Sequence, residues 1–142
     1  MSVRDLDGNV TLQSLPAQVG AFTDLGDALA GTHGAPLLSS GATLLPGSTC
    51  EIEVENGLPF GIGALAVGGN DNPVSLLGGI VHPFPSAALV PVVLDDQGAW
   101  SLKVDPWPAQ APGTQLVMQA AILDAGAPQG VALTNALRAV TP

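Results

Sequence analysis

Twelve carboxylates stand against three cationic side chains, Arg4, Lys103 and Arg138, so any chemistry in this chain starts from its acids. Asp5-Leu6-Asp7-Gly8-Asn9 sets oxygens at alternate positions around a glycine, as a calcium loop does, because a hard cation collects carboxylate and carbonyl ligands around a sharp turn. The glycine comes early for an EF-hand, and Pro16 stands where the closing bidentate glutamate belongs. A hairpin turn at Asp7-Gly8 is the plainer reading of the same residues. Glu51, Glu53 and Glu55 alternate with Cys50, Ile52 and Val54, which in a strand puts the three carboxylates on one face roughly 7 Å apart. They hold calcium if an opposite strand supplies further oxygens; otherwise they form a solvated face that also discourages edge pairing.

The remaining catalytic inventory is poor. His33 and His82 have no carboxylate at motif spacing, and the chain lacks a Gly-x-Ser-x-Gly elbow and a glycine-rich phosphate loop opening onto a helix. Triads are defined by geometry and not by chain order, which leaves His82 with Asp95 or Asp96 as a pairing for the fold to test. Cys50, the single cysteine, falls on an apolar face without a neighbouring cation and reads as an inert core thiol. One cysteine also excludes an intrachain disulfide and a Cys-based zinc site. Of the two tryptophans, Trp100 alternates onto an apolar face and reads as core. Trp107, between Pro106 and Pro108, is the aromatic that an extended segment presents to a glycan or partner, unless it caps the end of a sandwich.

These residues need strands to position them, since the chain's patterning has period two wherever it has a period. Cys50 to Glu55 closes on Asn56-Gly57, and Ala99 to Val104 follows the turn Asp95-Asp96-Gln97-Gly98 with Trp100, Leu102 and Val104 on one face. Gln115 to Leu123 and Gly130 to Val140 are further strands. Ile62 to Val67, Gly79 to His82 and Leu89 to Leu94 are short apolar runs, the last confined by Pro91 to an edge or a bulge. Val3 to Leu6 and Asn9 to Leu12 flank Asp7-Gly8 as a hairpin. Phe22 to Leu29, with Thr23 as N-cap and Gly31 as stop, is the one candidate for a turn or two of helix. In Ala132 to Ala139, the β-branched Val131, Thr134 and Val140 favour strand. Short strands separated by turns predict an all-β antiparallel sandwich of about seven to nine strands.

At 142 residues the chain has the length of one domain, and 46% hydrophobic residues suffice for a core. Only 11% are charged, and the net charge is −9. The absence of a basic cluster disfavours nucleic acid and anionic membrane as partners, since both need Lys or Arg against phosphate. The uncharged stretches Ala28 to Cys50 and Asn72 to Leu94 are broken by prolines and glycines, so neither makes a spanning helix. The start, Met1-Ser2-Val3-Arg4-Asp5, has no secretion signal, which leaves a cytoplasmic protein or the mature or excised part of a secreted one.

Asp24-Leu25-Gly26-Asp27-Ala28-Leu29-Ala30-Gly31-Thr32-His33-Gly34-Ala35-Pro36-Leu37-Leu38 and Gly41-Ala42-Thr43-Leu44-Leu45-Pro46-Gly47-Ser48 are followed by Leu77-Gly78-Gly79, Asp105-Pro106-Trp107-Pro108, Gln119 to Asp124, Gly126 to Gly130, Leu133 to Leu137 and Thr141-Pro142. In this order, from about Ala21 to the end, they resemble a carboxy-terminal domain of large secreted proteins of planctomycetes and related marine bacteria. The three glutamates of Cys50 to Glu55 depart from the mostly neutral residues of similar domains. The resemblance implies a β-rich module following repeat or propeller regions, without assigned activity and with no catalytic residue to carry over. It makes residues 1–20 the hairpin and linker of a preceding region, and 21–142 the sandwich.

The resulting expectation is a non-catalytic extracellular or cell-surface module for structure or attachment, with protein partners or its own copies. One alternative is a self-assembling subunit of a filament or shell that adds strands through the Val3 to Leu12 hairpin or an exposed edge. The other is a glycan-binding module, calcium-assisted, centred on Trp107 and an acidic cluster.

Overall fold

The computed structural model describes residues 18–19 and 21–142, among which twelve strands form and no helix. The Val3 to Leu12 hairpin, with Asp5 and Asp7, lies outside the described residues. In chain order the strands are β1 (Gln18–Val19), β2 (Phe22–Gly26), β3 (Leu37–Ser39), β4 (Cys50–Glu55), β5 (Ile62–Gly68) and β6 (Val74–Leu76). They continue with β7 (Gly79–Val81), β8 (Ala88–Val93), β9 (Trp100–Val104), β10 (Gln115–Leu123), β11 (Val131–Leu133) and β12 (Ala136–Val140).

The strands form an antiparallel β-sandwich. The large sheet runs β1-β2-β12-β10-β5-β8, with β11 beside β12 on the same edge of β10; the small sheet runs β3-β4-β9. Alternation explains what faces inward. Cys50, Ile52 and Val54 from β4 meet Leu65 from β5, Met118, Ala120 and Ile122 from β10, and Leu137 and Ala139 from β12 in one buried core. Phe22, Leu38, Ala42, Leu44, Val92 and Leu94 complete it.

The hairpin β6-β7 forms a third layer on the outer face of the large sheet. Its carbonyl at Ile80 accepts from Gln119 Nε2 at 3.1 Å, and the His82 N–H just beyond β7 donates to Gln119 Oε1 at 3.0 Å. Strand β10 is therefore covered on both faces, which is why Gln119 is buried between Met118 and Ala120.

The strand expected over Gly130 to Val140 is interrupted at Thr134-Asn135, one reason the two sheets hold ten strands where about seven to nine were expected. Asn135 turns across to the small sheet, accepting from Leu38 N–H at 2.8 Å and donating to Leu38 C=O at 3.0 Å. One amide thus gives β3 the backbone partner that a strand would give it. Phe22 to Leu29 is not a helix. Phe22 to Gly26 pairs with β12, and Asp24 Oδ1 accepts from Gly26 N–H in a turn where the chain enters positive φ at Gly26 (77°) and Asp27 (65°). Pairing beside the core outcompetes a short segment with no apolar helical face. Pro91 sits on β8, which is an edge strand.

Candidate functional site

The polar residues with the most specific surroundings converge on His82. Its ring is buried under the third layer, with Nε2 at 2.6 Å from Asp27 Oδ2 and Nδ1 at 2.7 Å from Asp71 Oδ1. Asp27 follows β2, and Asp71 lies in the loop between β5 and β6. Two carboxylates accept only from N–H groups, so the doubly protonated imidazolium is the form that satisfies both bonds. Burial opposes that charge, but the hydrogen bonds and charges of Asp71 and Asp27 outweigh it and hold the pKa above the ordinary imidazole value. The backbone is fastened too: His82 C=O accepts from Asn72 N–H and Phe84 N–H, both at 2.9 Å.

With both ring nitrogens occupied, His82 acts as a clasp and offers no nitrogen to a substrate proton. The pairing with Asp95 or Asp96 that geometry left open does not form. Asp95 Oδ1 instead accepts from Gln97 N–H at 2.8 Å and Ala99 N–H at 2.9 Å, closing the turn that joins β8 to β9. The carboxylates that do reach His82 stand 55 and 11 positions away in the chain, a separation without a motif to betray it.

A second clasp holds the loop after β2 against the turn after β10. Buried Asp124 accepts from Thr32 Oγ1 at 2.5 Å, Thr32 N–H at 2.8 Å and Gly126 N–H at 2.8 Å. The Thr32 hydroxyl is the main cause that lowers its pKa; burial pushes the other way, and the two backbone donors and His33 reinforce the lowering. The approach is close enough to require glycine: a Cβ on Gly31 would fall 2.1 Å from Asp124 Oδ2.

Glu51, Glu53 and Glu55 project from the outer face of β4, as alternation predicts, but β4 is the middle strand of its sheet and protects no edge. Lys103 lies beside Glu51 and Ser101 beside Glu53 on β9, while Ser39 and Leu37 flank Glu53 and Glu55 on β3. The neighbouring strands thus contribute an ammonium, hydroxyls and an alkyl chain in place of carboxylates. Among the described residues, no three His, Cys, Asp or Glu side chains are arranged to hold a metal ion. A shallow cleft of about 170 Å³ borders this face, lined by Glu53, Glu55, Asp95, Trp100 and Ser101 among others.

Trp107 is not presented to solvent as a platform. Its N–H donates to Ser48 C=O at 2.8 Å, its C=O accepts from Gly47 N–H at 2.9 Å, and its ring packs on the core with Nε1 buried and unpartnered. Trp100 is the tryptophan that reaches the cleft, while also packing against the core. Cys50 is buried, and burial pushes its thiol pKa up against a smaller opposing bond with Ser40.

No family model, no curated protein and no solved structure matches this chain.

Proposed function

We propose that this chain is a non-catalytic structural or attachment module of a secreted or cell-surface protein, working through protein contacts made by its outer sheet face. The observation that carries this reading is the uncovered apolar half of that face among the described residues, where Ile62, Leu89, Val93 and Leu123 stand exposed. A contiguous apolar patch on a folded domain marks a contact surface. The polar chemistry supports the same reading, because His82 and Asp124 spend their bonding capacity on the protein's own loops. Extracellular placement and a position at the carboxy-terminal end of a longer protein are what the resemblance of residues 21–142 implies.

The cleft at Trp100 favours a second reading, a glycan-binding module assisted by calcium, since an indole with carboxylates and a hydroxyl is suited to sugar hydroxyls. Titration with oligosaccharides, with and without calcium, while following tryptophan fluorescence separates the two. The structural reading expects no saturable change at millimolar sugar; a saturable quench that Trp100→Ala removes overturns it in favour of glycan binding.

A further inference from the structure

The strand register places the outer residues of the large sheet in cross-strand rows. Val93 lies beside Ile62; Pro91, Ala64, Ala121 and Leu133 form the next row; Leu89, Ala66 and Gln119 form the third. Leu123 follows Ala121 on the same face. The β6-β7 layer closes over the Gln119 and Leu133 ends of the rows, and both side chains are buried. Among the described residues nothing covers the other ends, where Leu89 is 67%, Val93 65%, Leu123 54% and Ile62 53% exposed. Apart from the buried Gln119, no side chain in these rows is polar or charged.

We propose that a second copy of this chain covers the open part of this face, the two large sheets packing face to face about a two-fold axis. Charge argues for a copy. A chain of net charge −9 with three cations repels itself wherever carboxylates approach, and these rows bring no carboxylate to the contact. Nor do they offer a charge for an unlike partner to read. Shape argues the same way: Ala64, Ala66 and Ala121 make a low floor between larger side chains at Leu89, Val93, Ile62 and Leu123. In an isologous pairing the large side chains of each copy meet the floor of the other, the interdigitation that stacked sheets require.

Pro91 decides how the copies meet. Leu94 N–H donates to Gly61 C=O at 2.8 Å, so, counting back in twos, Val92 and Val90 turn their backbone groups to β5 while Val93, Pro91 and Leu89 turn theirs to the open edge. Proline therefore removes the central outward N–H of this edge and blocks strand addition there, leaving the face as the available contact. Three strands wide and about three side chains long, the contact is smaller than the roughly 800 Å² per partner of a standard interface, which is the size class of weak, transient association.

The inference rests on the reading of the chain as an attachment module and supplies its partner. Light scattering on size-fractionated protein from about 1 to 500 µM, a range spanning micromolar affinity, tests it. The expected mass rises with concentration from 14.1 kDa toward twice that value. Val93→Glu and Leu89→Glu, both at exposed positions, should each keep the melting temperature and raise the dissociation constant at least tenfold, whereas Leu45→Glu, at an exposed loop position, should leave it unchanged. A monomer throughout overturns the inference, as does a dimer indifferent to both face variants or one lost only when residues 1–14 are removed. A monomer leaves the sugar titration free to decide the module reading by itself.

Discussion

His82 Nε2 approaches Asp27 Oδ2 to 2.6 Å while the opposite ring nitrogen holds Asp71, so one imidazole ties the end of β2 to the loop that carries the third layer. Together with Gln119, which bonds His82 N–H, Ile80 C=O and Thr134 C=O, it fastens β6-β7 over Leu133. The extent of the open apolar face thus depends on a polar contact beneath the layer beside it.

That contact carries a proton, and its sign follows from the raised pKa. Its stabilisation is complete below the unfolded imidazole value of about 6.5 and is lost as pH rises through the higher folded value. The His82-dependent part of the melting temperature should therefore fall as pH rises above about 6.5, and comparison with His82→Gln, read by circular dichroism, isolates it. His82→Ala should cost about 2–4 kcal/mol and Asp27→Asn about 1 kcal/mol, less because the aspartate is partly solvated.

The Asp124 clasp has the opposite pH dependence. Its lowered pKa means that its stabilisation is present above the unfolded carboxyl value of about 3.9 and disappears as pH falls through the folded value. Asp124→Asn should flatten this part of the acid limb in thermal melts. Gly31→Ala should destabilise at neutral pH by about 1–3 kcal/mol, because its methyl group meets Asp124 Oδ2.

Asn135 joins the two sheets through a single buried side chain. Asn135→Leu leaves Leu38 N–H and C=O without those bonds and should cost about 2–4 kcal/mol in chemical denaturation. Asn135→Asp keeps an acceptor for the N–H but places a charge before the Leu38 carbonyl, and should not restore the loss.

Trp107 points the other way, because its buried Nε1 has no partner. Trp107→Phe discards that orphaned donor while shrinking the ring, and the two effects oppose each other. The expected change is within about 1 kcal/mol, against 3–5 kcal/mol or so for Trp107→Ala, both measured by denaturant midpoint.

The sequence by itself determined the features that depend on neighbours along the chain. Cys50 to Glu55 alternates cleanly because one face of β4 meets the core and the other meets solvent, and Pro91 marks an edge because its missing N–H is tolerable there. The span of β10 was legible from its boundaries, but its facing was not: both sides are covered, so alternation is absent over Val117 to Ala120 and Gln119 gives no hint that it faces another layer. Only the tertiary structure put β4 in the middle of its sheet, turned Trp107 onto the core and brought Asp27 and Asp71 to His82. Such outcomes depend on which strands pair and which loops meet across the sheet, contacts between residues distant in the chain that leave no periodicity in any one segment.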